Sequence, residues 1–169
     1  MARTHLILTT LVVTLASAPL VFAQSWEPDL TKVVQHNIKL SDTVWMIEPR
    51  PGYGGNLAVS VGEDGVLLVD DQLMPLVPKI REAIGKITDG EVDFLVNSHY
   101  HYDHAGGNEA FGTTSTIVAH KNVRARLAEG REAANNFIEG ERPKAALPVI
   151  TFSEKVTFHY NGEDIDVYY

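Results

Sequence analysis

The chain has 169 residues, 44% hydrophobic and 21% charged, the balance of an ordinary globular domain with a core of its own. Acidic residues outnumber basic ones 22 to 14, and the formal charge of −8 argues against a nucleic-acid partner, which needs clustered Lys and Arg. The absence of cysteine excludes disulfides, thiolate metal ligands and a lipoprotein anchor within these residues.

The first 23 residues read as a signal peptide. Arg3 supplies the positive start, Leu6 to Ala16 the apolar stretch, and Val21 and Ala23 the small residues before a cut at Gln24. Three threonines, Ser17 and Pro19 interrupt the apolar run, which favours cleavage over a retained anchor. The expectation is an exported protein, periplasmic or secreted, with no stable membrane insertion after cleavage, and a single domain over 24–169.

Along that domain, "TVWMIE" (43–48) reads as a strand, ended by the breaker-rich loop "PRPGYGG". "NLAVSV" and "VLLVD" are two more strands, joined by the turn "GEDG". In "PLVPKIREAIGKI" the period changes, and Leu76, Ile80, Ile84 and Ile87 mark an amphipathic helix. "VDFLVNS" and "TSTIVAH" are strands, and "KNVRARLAE" a short helix. Residues 130–148, polar and punctuated by Gly130, Gly140, Pro143 and Pro148, read as a loop excursion. "VTFHY", Asn161-Gly162 and "EDIDVYY" form a hairpin on a primed turn. The order predicts an α/β (α+β) fold, a mixed sheet with helices on one outer face and the other face uncovered. The strand pattern runs to Tyr169 without a cap, so the domain is expected to be C-terminally incomplete.

The densest chemistry lies in "SHYHYDHAGGN", Ser98 to Asn108, where a strand delivers the chain into three histidines and an aspartate. Functional groups of open sheets sit on loops beyond the carboxyl ends of strands. His99 and His101, two apart on an extended segment, point the same way and can share one metal. Asp103 and His104 follow where the chain turns towards Gly106-Gly107 and suit a second metal beside it. Imidazole and carboxylate favour zinc, with iron or manganese possible. The glycines allow the backbone to approach this loop closely. The remaining histidines, His5, His36, His120 and His159, read as solvated or ordinary core residues.

"HYHYDH" has the form His-x-His-x-Asp-His and resembles the signature of the metallo-β-lactamase superfamily. "DGVLLVDDQL" is similar to that family's earlier motif, a strand ending in an aspartate that maps onto Asp70, and "TIVAHKNVRARL" to the strand and helix that follow. The resemblance implies an αββα sandwich, of which this chain supplies about one half. It implies His99 and His101 on one zinc ion, and Asp103 and His104 on a second. Asp70 would orient the ligands from behind, and Asp103 would also handle protons. It also implies hydrolysis, with metal-bound hydroxide attacking a lactam, lactone, thioester or other ester of a small-molecule substrate. The family's further ligands have no counterpart here: His120 comes too early and His159 lies in the hairpin. The alternative is therefore a truncated, non-catalytic metal-binding half-domain that needs its missing half or a partner. Among neighbouring residues, Asp71 is expected to be solvated, and Tyr53 to be an exposed turn residue of a rim loop.

Overall fold

The computed structural model describes residues 29–129 and 142–169. The expected signal peptide and residues 130–141 of the excursion lie outside the described residues.

One sheet carries seven strands in chain order: β1 (Val34–Lys39), β2 (Val44–Arg50), β3 (Leu57–Gly62), β4 (Gly65–Val69), β5 (Val92–Asn97), β6 (Thr116–His120) and β7 (Ile150–Phe152). Pairing is antiparallel from β1 to β4 and parallel from β4 to β7. Antiparallel neighbours need only turns, whereas parallel ones need crossovers. The crossovers carry helices: α1 (Val77–Gly85), the single turns α2 (Tyr102–Ala105) and α3 (Asn108–Phe111), and α4 (Lys121–Glu129).

Period-two alternation sorts the side chains onto two faces. Val66 and Leu68 of β4, Leu95 of β5 and Ile117 of β6 face the helices, against Ile80, Ala83 and Ile84 of α1 and Phe111 of α3. Leu67, Val96 and Val118 face the other way. That second face is not bare, contrary to the sequence reading. The hairpin of β8 (Lys155–Tyr160) and β9 (Glu163–Tyr168) is a separate two-stranded sheet lying across it. Val156, Phe158, Tyr160, Ile165 and Val167 pack on that cluster. Phe94 meets the rings of Phe158 and Tyr160 edge-on at 5.5 Å each.

The hairpin turn also grips the main sheet. Asn161 and Gly162 have φ of 56° and 76°, as a primed two-residue turn requires. The Asn161 amide donates to Ser60 Oγ (3.0 Å) and to the Gly65 carbonyl (3.1 Å), and its oxygen accepts from the Asp64 N–H (3.2 Å). The Asn161 N–H in turn donates to the Asp64 carboxylate at 2.6 Å.

Two strands and one strand boundary differ from expectation. β1, whose polar "QHN" hides its alternation, and the three-residue β7 were not anticipated. β2 runs on through Pro49 to Arg50. It can do so because β3 pairs only with Val44 to Ile47, so no β3 carbonyl calls for an N–H at Pro49.

Candidate metal centre

The parallel strands β4 and β5 end side by side, and the segments beyond them, Asp70–Gln72 and Ser98–Asn108, meet there. Asp70 is buried and holds a left-handed backbone with φ 61°, a conformation that costs a non-glycine residue about 1 kcal/mol. Its carboxylate makes three bonds in return. One oxygen accepts from the Ser98 N–H at 2.7 Å; the other accepts from Ser98 Oγ at 2.7 Å and from His104 Nδ1 at 2.8 Å.

These bonds decide which ring nitrogens are free. An ionised carboxylate only accepts, so His104 carries its proton on Nδ1 and presents Nε2 outward. The single proton of the Ser98 hydroxyl goes to Asp70. His99 Nδ1, 3.0 Å from Ser98 Oγ, is then the donor, and His99 also presents Nε2.

The outward atoms fall into two pairs. His99 Nε2 lies 3.1 Å from His101 Nδ1. His104 Nε2 lies 3.4 Å from Asp103 Oδ2. Two ligands of a tetrahedral zinc ion, each about 2.0–2.1 Å from the metal, stand about 3.3 Å apart, so each pair has the separation of a zinc edge. The rings of His99 and His104 are 4.1 Å apart, which sets the two pairs side by side. The donor set, three imidazoles and a carboxylate, is also suited to zinc. Among the described residues no group of three or more His, Asp or Glu side chains encloses one metal position. Neither His120 nor His159 joins the cluster: His120 is buried with Nε2 on the Ser153 carbonyl, and His159 pairs with Asp164 on the hairpin.

Several residues hold this loop that sequence reading passed over. Asp71 is fully buried rather than solvated, because the turn after β4 folds it under the loop. Its backbone N–H donates to the His104 carbonyl and its carboxylate accepts from the Gly107 N–H at 2.8 Å. Asn97 and Asn108, at the two ends of the loop, exchange side-chain hydrogen bonds of 2.9 Å in both directions. Asn108 also donates to the Ala146 carbonyl at 2.9 Å. Gly106 and Gly107 have no room for a side chain. A Cβ on Gly106 would collide with the Tyr102 carbonyl, and one on Gly107 would sit 2.9 Å from the Asp71 carbonyl. Tyr53 is half-buried against the helix-side core instead of exposed at a loop tip.

The electrostatics separate the two sides. Burial, reinforced by the neighbouring His104 and His101, lowers the pKa of His99 and favours the neutral ring that a metal needs. The hydrogen bond to Asp70 raises that of His104. Burial pushes Asp71 well above the usual carboxylate range, against the pull of the Gly107 N–H.

A family profile described as the metallo-beta-lactamase superfamily matches residues 51–164. No curated protein sequence matches the chain significantly. Solved structures do. The class B3 di-zinc metallo-beta-lactamase LRA-12 from an Alaskan soil metagenome matches with a TM-score of 0.65 and 15% identity, over 79% of this chain and 52% of its own. A metallo-beta-lactamase from Pontibacter korlensis matches at 0.61 and 20%, over 80% and 60%. One from Cronobacter sakazakii matches at 0.62 and 18%, over 75% and 49%. At these identities the likeness is one of fold, and this chain spans about half the length of the structures it matches.

Proposed function

Because the chain belongs to the metallo-beta-lactamase superfamily, we propose that it is a metal-dependent hydrolase of small-molecule substrates, acting outside the cytoplasm. In this reading His99 Nε2 and His101 Nδ1 hold one zinc ion, and Asp103 and His104 Nε2 hold a second. Iron or manganese would suit the same donors. Bound zinc supplies Lewis acidity and water activated near neutral pH, the chemistry needed to open a lactam, lactone, thioester or other ester.

The chain's own residues prepare that chemistry. Asp70 fixes the tautomer of His104 directly and that of His99 through Ser98, so both rings offer a lone pair before any ligand arrives. The exposed Asp103 carboxylate can accept a proton at the substrate side while His104 remains tied to Asp70. Export rests on the signal-like residues 1–23.

The observation carrying this reading is the pair of outward edges, 3.1 and 3.4 Å, with the ring protons of His99 and His104 already taken up behind them by Ser98 and Asp70. The test is zinc content after dialysis together with turnover of nitrocefin and of a thioester, in the chain and in His101→Ala. The expected result is zinc retention that His101→Ala reduces by more than the roughly 10–100-fold typical of losing an outer partner. Full zinc retention and turnover in His101→Ala would refute the assignment.

A second reading has its own support: each donor edge has two members, and the chain spans about half of its matched structures. In it these 169 residues are a metal-binding half that needs ligands from elsewhere. Weak zinc binding without turnover supports this second reading; tight binding of two zinc ions with turnover removes it.

A further inference from the structure

The rim loop between β2 and β3 is joined to the metal loop by one side chain. Gln72 is fully buried and, like Asp70, left-handed, with φ 55°. Its orientation follows from its partners. The Gly55 carbonyl can only accept, so the Gln72 Nε2 amide faces it, at 2.8 Å. The Gln72 Oε1 oxygen then accepts from Gln35 Nε2 of β1 at 2.6 Å, and Gln72 Nε2 reaches back to Gln35 Oε1 at 3.4 Å. The Gln72 backbone carbonyl accepts from the Gly106 N–H at 2.9 Å. A single residue therefore ties an edge strand, the rim loop and the turn after the histidines.

The rim loop is also pressed against a histidine. A Cβ on Gly55 would lie 2.5 Å from His104 Cε1, so the Gly55 backbone rests on the edge of the imidazole. A Cβ on Gly54, at φ 119°, would meet Gln72 Cγ at 3.2 Å. The Gly55 N–H points at the Asp103 carbonyl, 3.4 Å away. His104 is thus held from two sides, by Asp70 at Nδ1 and by Gly55 at Cε1.

We propose that Gln72 is a positioning residue. Its amide clamps the Gly54-Gly55 backbone against His104 and makes the rim loop a fixed wall of the site. Its reach is set by the Gln35 partner. The clamp is independent of any metal; only the description of that wall as part of a catalytic site rests on the hydrolase reading.

The test uses the metal-free chain, so it fails or succeeds apart from that reading. Gln72→Glu keeps the volume but places a carboxylate oxygen against the Gly55 carbonyl. The first measurement is amide hydrogen exchange of residues 52–56, with β4 and β5 as reference. The second is the labelling of His104 relative to His99 by diethyl pyrocarbonate, read by mass spectrometry. The expected result is exchange of 52–56 faster by about fivefold to tenfold, the loss of one buried hydrogen bond. A similar rise in His104 labelling should accompany it, with β4 and β5 unchanged. Gln35→Leu, which leaves the bond to Gly55 in place, should give a smaller rise at the same residues. Unchanged exchange in 52–56, or an equal rise across β4 and β5, would overturn the proposal.

Discussion

The loop Ser98–Asn108 and the hairpin β8–β9 are both appended to the same sheet, and they are fastened by opposite means. The loop sits at the strand ends and is held by directional polar bonds from Asp70, Asp71, Gln72 and Asn97. The hairpin covers a face and is held mostly by apolar burial on Leu67, Val96 and Val118, with polar contacts gathered near its turn. Hydrophobic burial has no preferred direction, and it suffices where only a layer has to be placed. Hydrogen bonds specify individual atoms, and they are used where a nitrogen must point one way.

Three changes test that contrast. The largest effect is expected from Asp70→Ala, which strands the Ser98 N–H, the Ser98 hydroxyl and the His104 Nδ1 proton in one step. A loss of about 3 kcal/mol in urea unfolding is expected, with zinc affinity down roughly 10–100-fold. A variant with native zinc affinity would show that the loop does not depend on this carboxylate. Asn161→Ala should cost about 2 kcal/mol, because three side-chain bonds are lost and φ of 56° no longer suits the residue. Its zinc affinity should stay unchanged; a drop would mean that hairpin and loop are not separately fastened.

The smallest effect is alkaline. The single O–H of Tyr160 is shared between Asp93 Oδ2 (3.0 Å) and the Asp64 carbonyl (2.8 Å), and burial with the Asp93 hydrogen bond pushes its pKa up to about 12. A folded pKa above the unfolded value of about 10 means the folded state holds the proton longer. The stabilisation is therefore complete below pH about 10 and lost as pH rises towards about 12. Phenolate absorbance and thermal melts across that window should show it, and Tyr160→Phe should remove the dependence.

Much of this architecture was legible in the residues. Strands β2 to β6, helices α1 and α4, and the primed turn at Asn161-Gly162 announce themselves by period and turn chemistry. The His-x-His-x-Asp-His cluster named side chains that the structure brings side by side at the strand ends. The partners behind them were hidden for a physical reason. Asp71 and Gln72 acquire their roles from a turn with two left-handed non-glycine residues, which no hydrophobic period encodes. Asn97 and Asn108 meet only because the loop closes, eleven positions apart. β1 escaped because an edge strand can be largely polar, and only Gln35 of it is buried.

The reciprocal Asn97–Asn108 amides make the ten residues between them a ring whose entry and exit are bolted side by side. Its circumference is fixed, and only its outward members are free to change. The exposed side chains of the ring, His101 and Asp103, can be exchanged one for one, as in a cassette, whereas Ser98, His104, Gly106 and Gly107 are tied to the segments behind it. An inserted or deleted residue must break the bolt or expel a glycine from its contact. Chemical change in this part of the molecule is therefore expected to proceed by substitution, with length held constant.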